Sequence, residues 1–174
     1  MINYLTGSRA AEIYSLTTSS IDLALGIMKF RVKDTVKRKD TTKVIPIAPF
    51  LREQLALYLS LREDTLKKLS IKNFRPLLFV VHGKEPKELT DEKINDFYRE
   101  ISINSEVPYF TTHAIRYQTQ TDMTAAGMDF LHTNCLLSHY PFLDEIFSKY
   151  AEVSFVDFKE KYLKAVESIL KEML

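Results

Sequence analysis

GIMKFRVKDTVKRKDTTKVIPIAP, residues 26–49, is the stretch that decides the fold. Its first eight residues mix β-branched, aromatic and basic side chains in rough alternation, which reads as a strand. KVIPIAP, residues 43–49, reads as a second strand, and Pro46 confines it to a sheet edge or a strand end. The basic segment between the two is then the tip of a β-hairpin.

Outward from the hairpin the pattern turns helical. Upstream, residues 8–16 read as a short amphipathic helix with Ala11, Ile13 and Leu16 as core positions and Ser8 near its cap, and Asp22 and Gly26 mark a turn. Downstream, residues 49–69 carry Leu51, Leu55, Tyr58, Leu59, Leu61 and Leu66 near helical spacing, with Pro49 suited to the first turn. LLFVV at 77–81 predicts a short buried strand ended by His82-Gly83. Thr90 caps a helix over 91–104, with Lys93 where a capping box would have Glu. Thr111 or Thr112 caps the next, from about His113 to Ala126, and Gly127 stops it. A further helix covers 129–137, Pro141 opens another over 141–150, and Phe155, Phe158, Tyr162, Val166, Ile169 and Met173 place a last one over 155–173. The expected fold class is α+β, mainly helical, with one small antiparallel sheet. No repeat or linker divides residues 1–174, so they are read as one domain, with 155–174 a helical tail within it.

A chain of 174 residues can bury one sizeable core. No apolar run is long enough to span a bilayer, and MINYLTGSR lacks the pattern of a secretory signal. The single Cys135 excludes an internal disulfide and a cysteine metal cluster, so a cytoplasmic or host-cell intracellular setting is expected. With no His-x-x-x-His pair, carboxylate cluster or Walker pattern, no metal or nucleotide cofactor is expected either. Net charge is only +1, but residues 29–43 hold seven Lys or Arg against two Asp, and such a local patch sets the field that a phosphate meets.

Five polar residues far apart in sequence make sense together: Arg9, His113, Arg116, His139 and Tyr150. A phosphodiester is an anion whose pentavalent transition state gathers further charge. Arginine suits it, because its planar fork donates two parallel hydrogen bonds and keeps its charge. Arg9 follows Thr6-Gly7 at a helix start, where backbone N–H groups add positive potential. His113 and Arg116, three residues apart, share one helix face, and the imidazole can pass a proton. Alone, each of these residues reads as an ordinary surface or packed side chain; the set and its order carry the argument.

That order, with a lysine-rich hairpin between the first arginine and the His-x-x-Arg pair, resembles the catalytic domain of the tyrosine recombinases, the phage integrase family. The resemblance covers roughly residues 5–155, through TGSRAAEI, THAIR, LLSHY and SKYAEVS. It implies a mixed helical domain around a small sheet, which cuts and rejoins DNA through a phosphotyrosine bond without metal or ATP. It implies Tyr150 as nucleophile, Arg9, His113, Arg116 and His139 around the phosphate, and a hairpin-tip lysine, Lys39 or Lys37, as the proton donor to the leaving 5′ hydroxyl. Glu12 fits the family's Arg-x-x-Glu pattern as an orienting or packing residue. Ser138 replaces the usual glycine before His139, and the interval from His139 to Tyr150 is slightly longer than usual. Only five residues precede TGSR, so the family's N-terminal DNA-binding domain is expected to be absent from this chain. The tail 155–174 is expected to dock either on a neighbouring protomer or back on its own chain. The implied partners are double-stranded DNA and further copies of the chain assembled on it as a dimer or tetramer, with a monomer off DNA and no membrane. The rival readings are a type IB topoisomerase-like relaxing enzyme, and a DNA-binding or assembly module that keeps the fold without the activity. His82 and His132 are read as surface or structural.

Overall fold

The computed structural model describes residues 1–33, 40–137 and 154–173. The elements run α1 (Ile2–Thr6), α2 (Ala10–Tyr14), a 3-10 turn (Thr18–Ser20), β1 (Ile21–Asp22), β2 (Ile27–Lys33), β3 (Asp40–Pro46), α3 (Pro49–Lys68), β4 (Phe79–His82), β5 (Glu85–Glu88), α4 (Asp91–Asn104), α5 (Thr112–Ala125), α6 (Phe130–Leu136) and α7 (Phe155–Met173). The mainly helical α+β class read from the sequence is the class observed. Two small antiparallel sheets are described: β1-β2-β3, and the hairpin β4-β5.

The period of two sorts the first sheet cleanly. On β2, Met28, Phe30 and Val32 are buried while Lys29 and Arg31 are exposed. The register pairs Met28 with Ile45 and Phe30 with Lys43, so Lys43 shares the inner face. Pro46 closes β3, which is an edge strand, and needs no donor there. The turn into β2 is shaped by Asp22, whose carboxylate accepts the Leu25 N–H at 2.8 Å, and by left-handed Gly26.

Helix starts follow their local signals. Pro49 opens α3, and the Thr90, Thr111 and Asp129 side chains accept the N–H three residues on in α4, α5 and α6. Three expectations need correction. Leu61 is exposed, and Arg62 takes the inner place on α3 by donating to the carbonyls of Phe74, Pro76 and Leu77. The segment 77–81 is buried only at Leu77; Val81 is exposed, because β4 pairs with β5 in a hairpin whose outer strand is polar. At the ends of α7, Phe155 and Met173 are exposed.

The core joins Leu5, Leu16, Met28, Phe30, Ile45, Leu51, Leu77, Met123 and Leu136 to Phe158, Tyr162, Val166 and Ile169 of α7. Each fully buried side chain of this kind contributes about 1.5–3 kcal/mol. In this arrangement α7 folds back on its own chain, and the buried Tyr162 hydroxyl donates to the Leu5 carbonyl at 3.2 Å. Burial raises the Tyr162 phenol well above its ordinary range.

Gly7 ends α1 at φ 55, and a Cβ there would stand 2.6 Å from Leu137 Cδ2. Gly26 has φ 65, with nothing within 4 Å of a Cβ. Gly7→Ala is therefore expected to cost about 2–4 kcal/mol, left-handed strain plus overpacking. Gly26→Ala should cost about 1 kcal/mol, from strain alone. Urea denaturation midpoints measure both, and equal losses would contradict the close approach of Leu137.

Candidate active site

The TGSR turn, residues 6–9, is the floor of the site. Left-handed Gly7 ends α1 and leaves Arg9 as the N-cap of α2. Glu12 reaches back from the third position of α2. Its Oε2 accepts the Arg9 backbone N–H, and its Oε1 accepts from the Arg9 guanidinium, both at 3.2 Å. Ala11, expected inside, is exposed, and Glu12 takes the inner place. A five-residue helix has too few turns for apolar spacing to choose its buried face; the polar contacts of Glu12 choose it. Ser8 is fully buried in the turn instead of capping the helix, and its carbonyl accepts from the Asn3 side chain at 2.7 Å.

Lys43 comes into this turn from β3. Its ammonium donates to Ser8 Oγ, Glu12 Oε2 and the Leu136 carbonyl, each at 3.2 Å, and lies 5.0 Å from the centre of the Phe30 ring. The charge count over 29–43 treats Lys43 as part of a surface run. The structure buries it, and the signal that finds it is strand register: Lys43, Ile45 and Ile47 alternate onto one buried face.

Arg116 is the fifth residue of α5, at the start of its second turn. It is buried. Its two terminal nitrogens donate to the Gly7 and Leu137 carbonyls, so one guanidinium ties the α1–α2 junction to the end of α6. Burial and then the charge of Arg9 lower Arg116 to about 10, against opposing pulls from Glu12 and Tyr117. Arg9 and Arg116 thus lie in each other's field. The Arg9 side chain is 48% exposed, so it presents its charge to solvent. His113 is exposed one turn before Arg116, with its ring edge-on to Tyr117 at 4.7 Å between centroids.

Lys37, Lys39, His139 and Tyr150, with Ser138 and the helix expected over 141–150, lie outside the described residues. Their borders are described. β2 pairs to Lys33 and β3 from Asp40, and Leu137 ends α6 with its carbonyl on Arg116.

His132 is buried, as a structural reading expects, and its surroundings are ionic. Its Nδ1 lies 2.7 Å from Asp129 Oδ1 and its Nε2 lies 2.8 Å from Asp157 Oδ2. A carboxylate thus faces each ring nitrogen. Lys161 adds a bond to Asp129 Oδ2 at 2.9 Å, so the cluster clasps the start of α6 to the start of α7. Desolvation pushes the Asp129 carboxyl up. Hydrogen bonds from His132 and Lys161 outweigh it and hold Asp129 well below the usual carboxylate range.

A depressed folded-state pKa adds stability that is full above the ordinary carboxylate value, about 4, and is lost as pH falls toward the folded value. The melting temperature of the chain should therefore drop on acidification below about pH 4. The drop should be shallower in Asp129→Asn, which keeps a capping oxygen but not the titration. Parallel curves for the two proteins would exclude the clasp as a source of acid sensitivity.

The fold resembles those of solved recombinases. The XerA recombinase matches with TM-score 0.66 and 19% identity, over 99% of this chain and 55% of its own. The integrase of mycobacterium phage Brujita gives 0.63 and 17%, over 94% and 49%. The Tn1549 transposon integrase, in complex with circular intermediate DNA, gives 0.60 and 18%, over 92% and 55%. The chain thus spans about half the length of the structures it matches. No curated protein sequence matches it. The family model described as the phage integrase family matches residues 1–155, most of the chain, and the protein belongs to that family.

Proposed function

We propose that the chain is the catalytic domain of a site-specific DNA recombinase or integrase, which cleaves and rejoins DNA through a 3′-phosphotyrosine bond. The observation that carries this reading is the meeting of Arg9, Arg116 and the end of α6 around the TGSR turn, in a chain of this family.

Arg9 is the solvent-facing cation and would take the non-bridging oxygens of the scissile phosphate as a fork. Arg116 is covered; it fixes the Gly7 and Leu137 carbonyls and adds positive field behind Arg9. His113 would donate to a phosphate oxygen or move a proton, and His139 would donate to a second oxygen. The Tyr150 phenol gives up its proton to His113, its oxygen attacks phosphorus, and the bond to the 5′ oxygen breaks. That oxygen takes its proton from Lys39 or Lys37, leaving a 3′-phosphotyrosine. Rejoining reverses each step: a 5′ hydroxyl attacks, the phenol leaves and regains its proton. One phosphate ester is exchanged for another, so the chemistry needs no nucleotide hydrolysis, and the arginines and histidines would carry the charge stabilisation that a metal could otherwise supply. Lys29 and Arg31, exposed on the outer face of β2, would meet the DNA backbone. Assembly on DNA as a dimer or tetramer, from a monomer in solution, completes the proposal.

The test is a nicked suicide substrate incubated with the full chain, with the covalent protein–DNA adduct read on a denaturing gel. Tyr150→Phe should abolish the adduct, and Arg9→Ala should slow its formation by on the order of 10²-fold. An adduct that survives Tyr150→Phe would move the nucleophile elsewhere.

A further inference from the structure

Lys43 has no role in the chemistry above, yet it is the most completely enclosed cation among the described side chains; its side chain is 1% exposed. Its ammonium has three N–H donors, and each has a partner on a different piece of structure: Ser8 in the TGSR turn, Glu12 in α2 and the Leu136 carbonyl at the end of α6. Glu12 is equally enclosed and has both oxygens engaged by Arg9 and Lys43. The result is a relay in which Lys43 holds the carboxylate that holds Arg9. Leu136 adjoins Leu137, whose carbonyl is on Arg116, so the same ammonium also braces the second arginine's anchor.

Stability alone gives little reason for such a pair. Replacing a buried ion pair with apolar residues of like volume is often neutral or stabilising. The partners Lys43 selects matter more, because all three lead to a guanidinium. We propose that Lys43 is a positioning residue of the site: it fixes the Glu12 carboxylate, and thereby the direction in which Arg9 presents its guanidinium to the phosphate. This rests on the reading of Arg9 as a phosphate ligand.

The arrangement has a readout that mere packing lacks. Desolvation lowers the Lys43 ammonium to about 8, against the pull of Glu12 and with the push of Arg116 and Arg9. The charged groups facing it are Glu12 and Arg9 from α2 and Arg116 from α5. Phe30 on β2 and the Leu136 carbonyl on α6 carry no titration. The grip on Glu12 is therefore full below pH 8 and weakens as pH rises through it.

Two measurements on the full chain decide the matter. In the first, the initial rate of covalent adduct on saturating nicked suicide DNA is followed from about pH 6 to pH 10, a span centred on the lowered lysine value and short of the ordinary one. The wild-type rate should fall through pH 8. Lys43→Arg, whose charge does not titrate there, should keep the rate and lose that limb. Lys43→Met should be slower by about tenfold or more at neutral pH, with DNA affinity unchanged. In the second, without DNA, the NMR resonance of the Arg9 side-chain N–H, assigned by its loss in Arg9→Lys, should shift with a midpoint near pH 8 in wild type and stay still in Lys43→Arg. A limb and a shift that persist in Lys43→Arg would overturn the proposal. A shift that follows Lys43 in a chain forming no Tyr150-dependent adduct would leave the relay standing and remove the recombinase reading instead. Should Lys43→Met fail to fold, the Lys43→Arg comparison decides alone.

Discussion

Arg116 has no free choice of position. A guanidinium removed from water must have its N–H groups met by oxygens, and it meets the carbonyls of Gly7 and Leu137, which are far apart in sequence. Removing one partner of such a buried charge is far more costly than the pair is stabilising, so the geometry is held by penalty more than by gain. Everything placed at the TGSR turn depends on this. Gly7 must be left-handed to turn its carbonyl toward Arg116, and it must lack a side chain to admit Leu137. Arg9 follows as the cap of α2, and Glu12 and Lys43 then fill the space behind it.

Charge at the site is layered. Arg9 faces solvent, Arg116 stands behind it, and Lys43 lies deepest, with the Glu12 carboxylate among these three cations. Such an excess of positive charge in a poorly solvated place is costly for the isolated molecule, and the lowering of Arg116 and Lys43 from their ordinary values records that cost. On the proposed function, an approaching phosphate would relieve it. The overall charge of +1 hides this, because it sums over the whole chain and not over the surroundings of one site.

What the sequence made legible is what local physics governs. Thr90, Thr111, Asp129 and Pro49 mark helix starts through bonds or dihedrals confined to a few residues, and the hairpin at 26–49 shows in its alternation. Glu85–Glu88 was not legible as a strand, since Glu, Pro and Lys have little intrinsic preference for one and β5 exists only by pairing with β4. Leu61 and Arg62 exchanged places for a nonlocal reason: the carbonyls of 74–77 need a donor, and only the fold brings them to α3. At the site, the convergence of Arg9 with Arg116 could be inferred from a family pattern, whereas the burial of Lys43 needed the register of two strands. The ionic surroundings of His132 join residues 25 positions apart, and no spacing rule reaches across that interval.

The bond from Tyr162 to the Leu5 carbonyl spans 157 residues of sequence. α1 also packs on α5, and α5 on α7. α1 is thus seated in large part by elements far downstream of it. During synthesis the TGSR turn waits, with apolar surface uncovered, until residues near 160 have emerged. Such high contact order favours slow, late closure of the core and a window in which chaperones have something to hold. Arg9 and Arg116 would therefore settle at the TGSR turn only after α7 has been made.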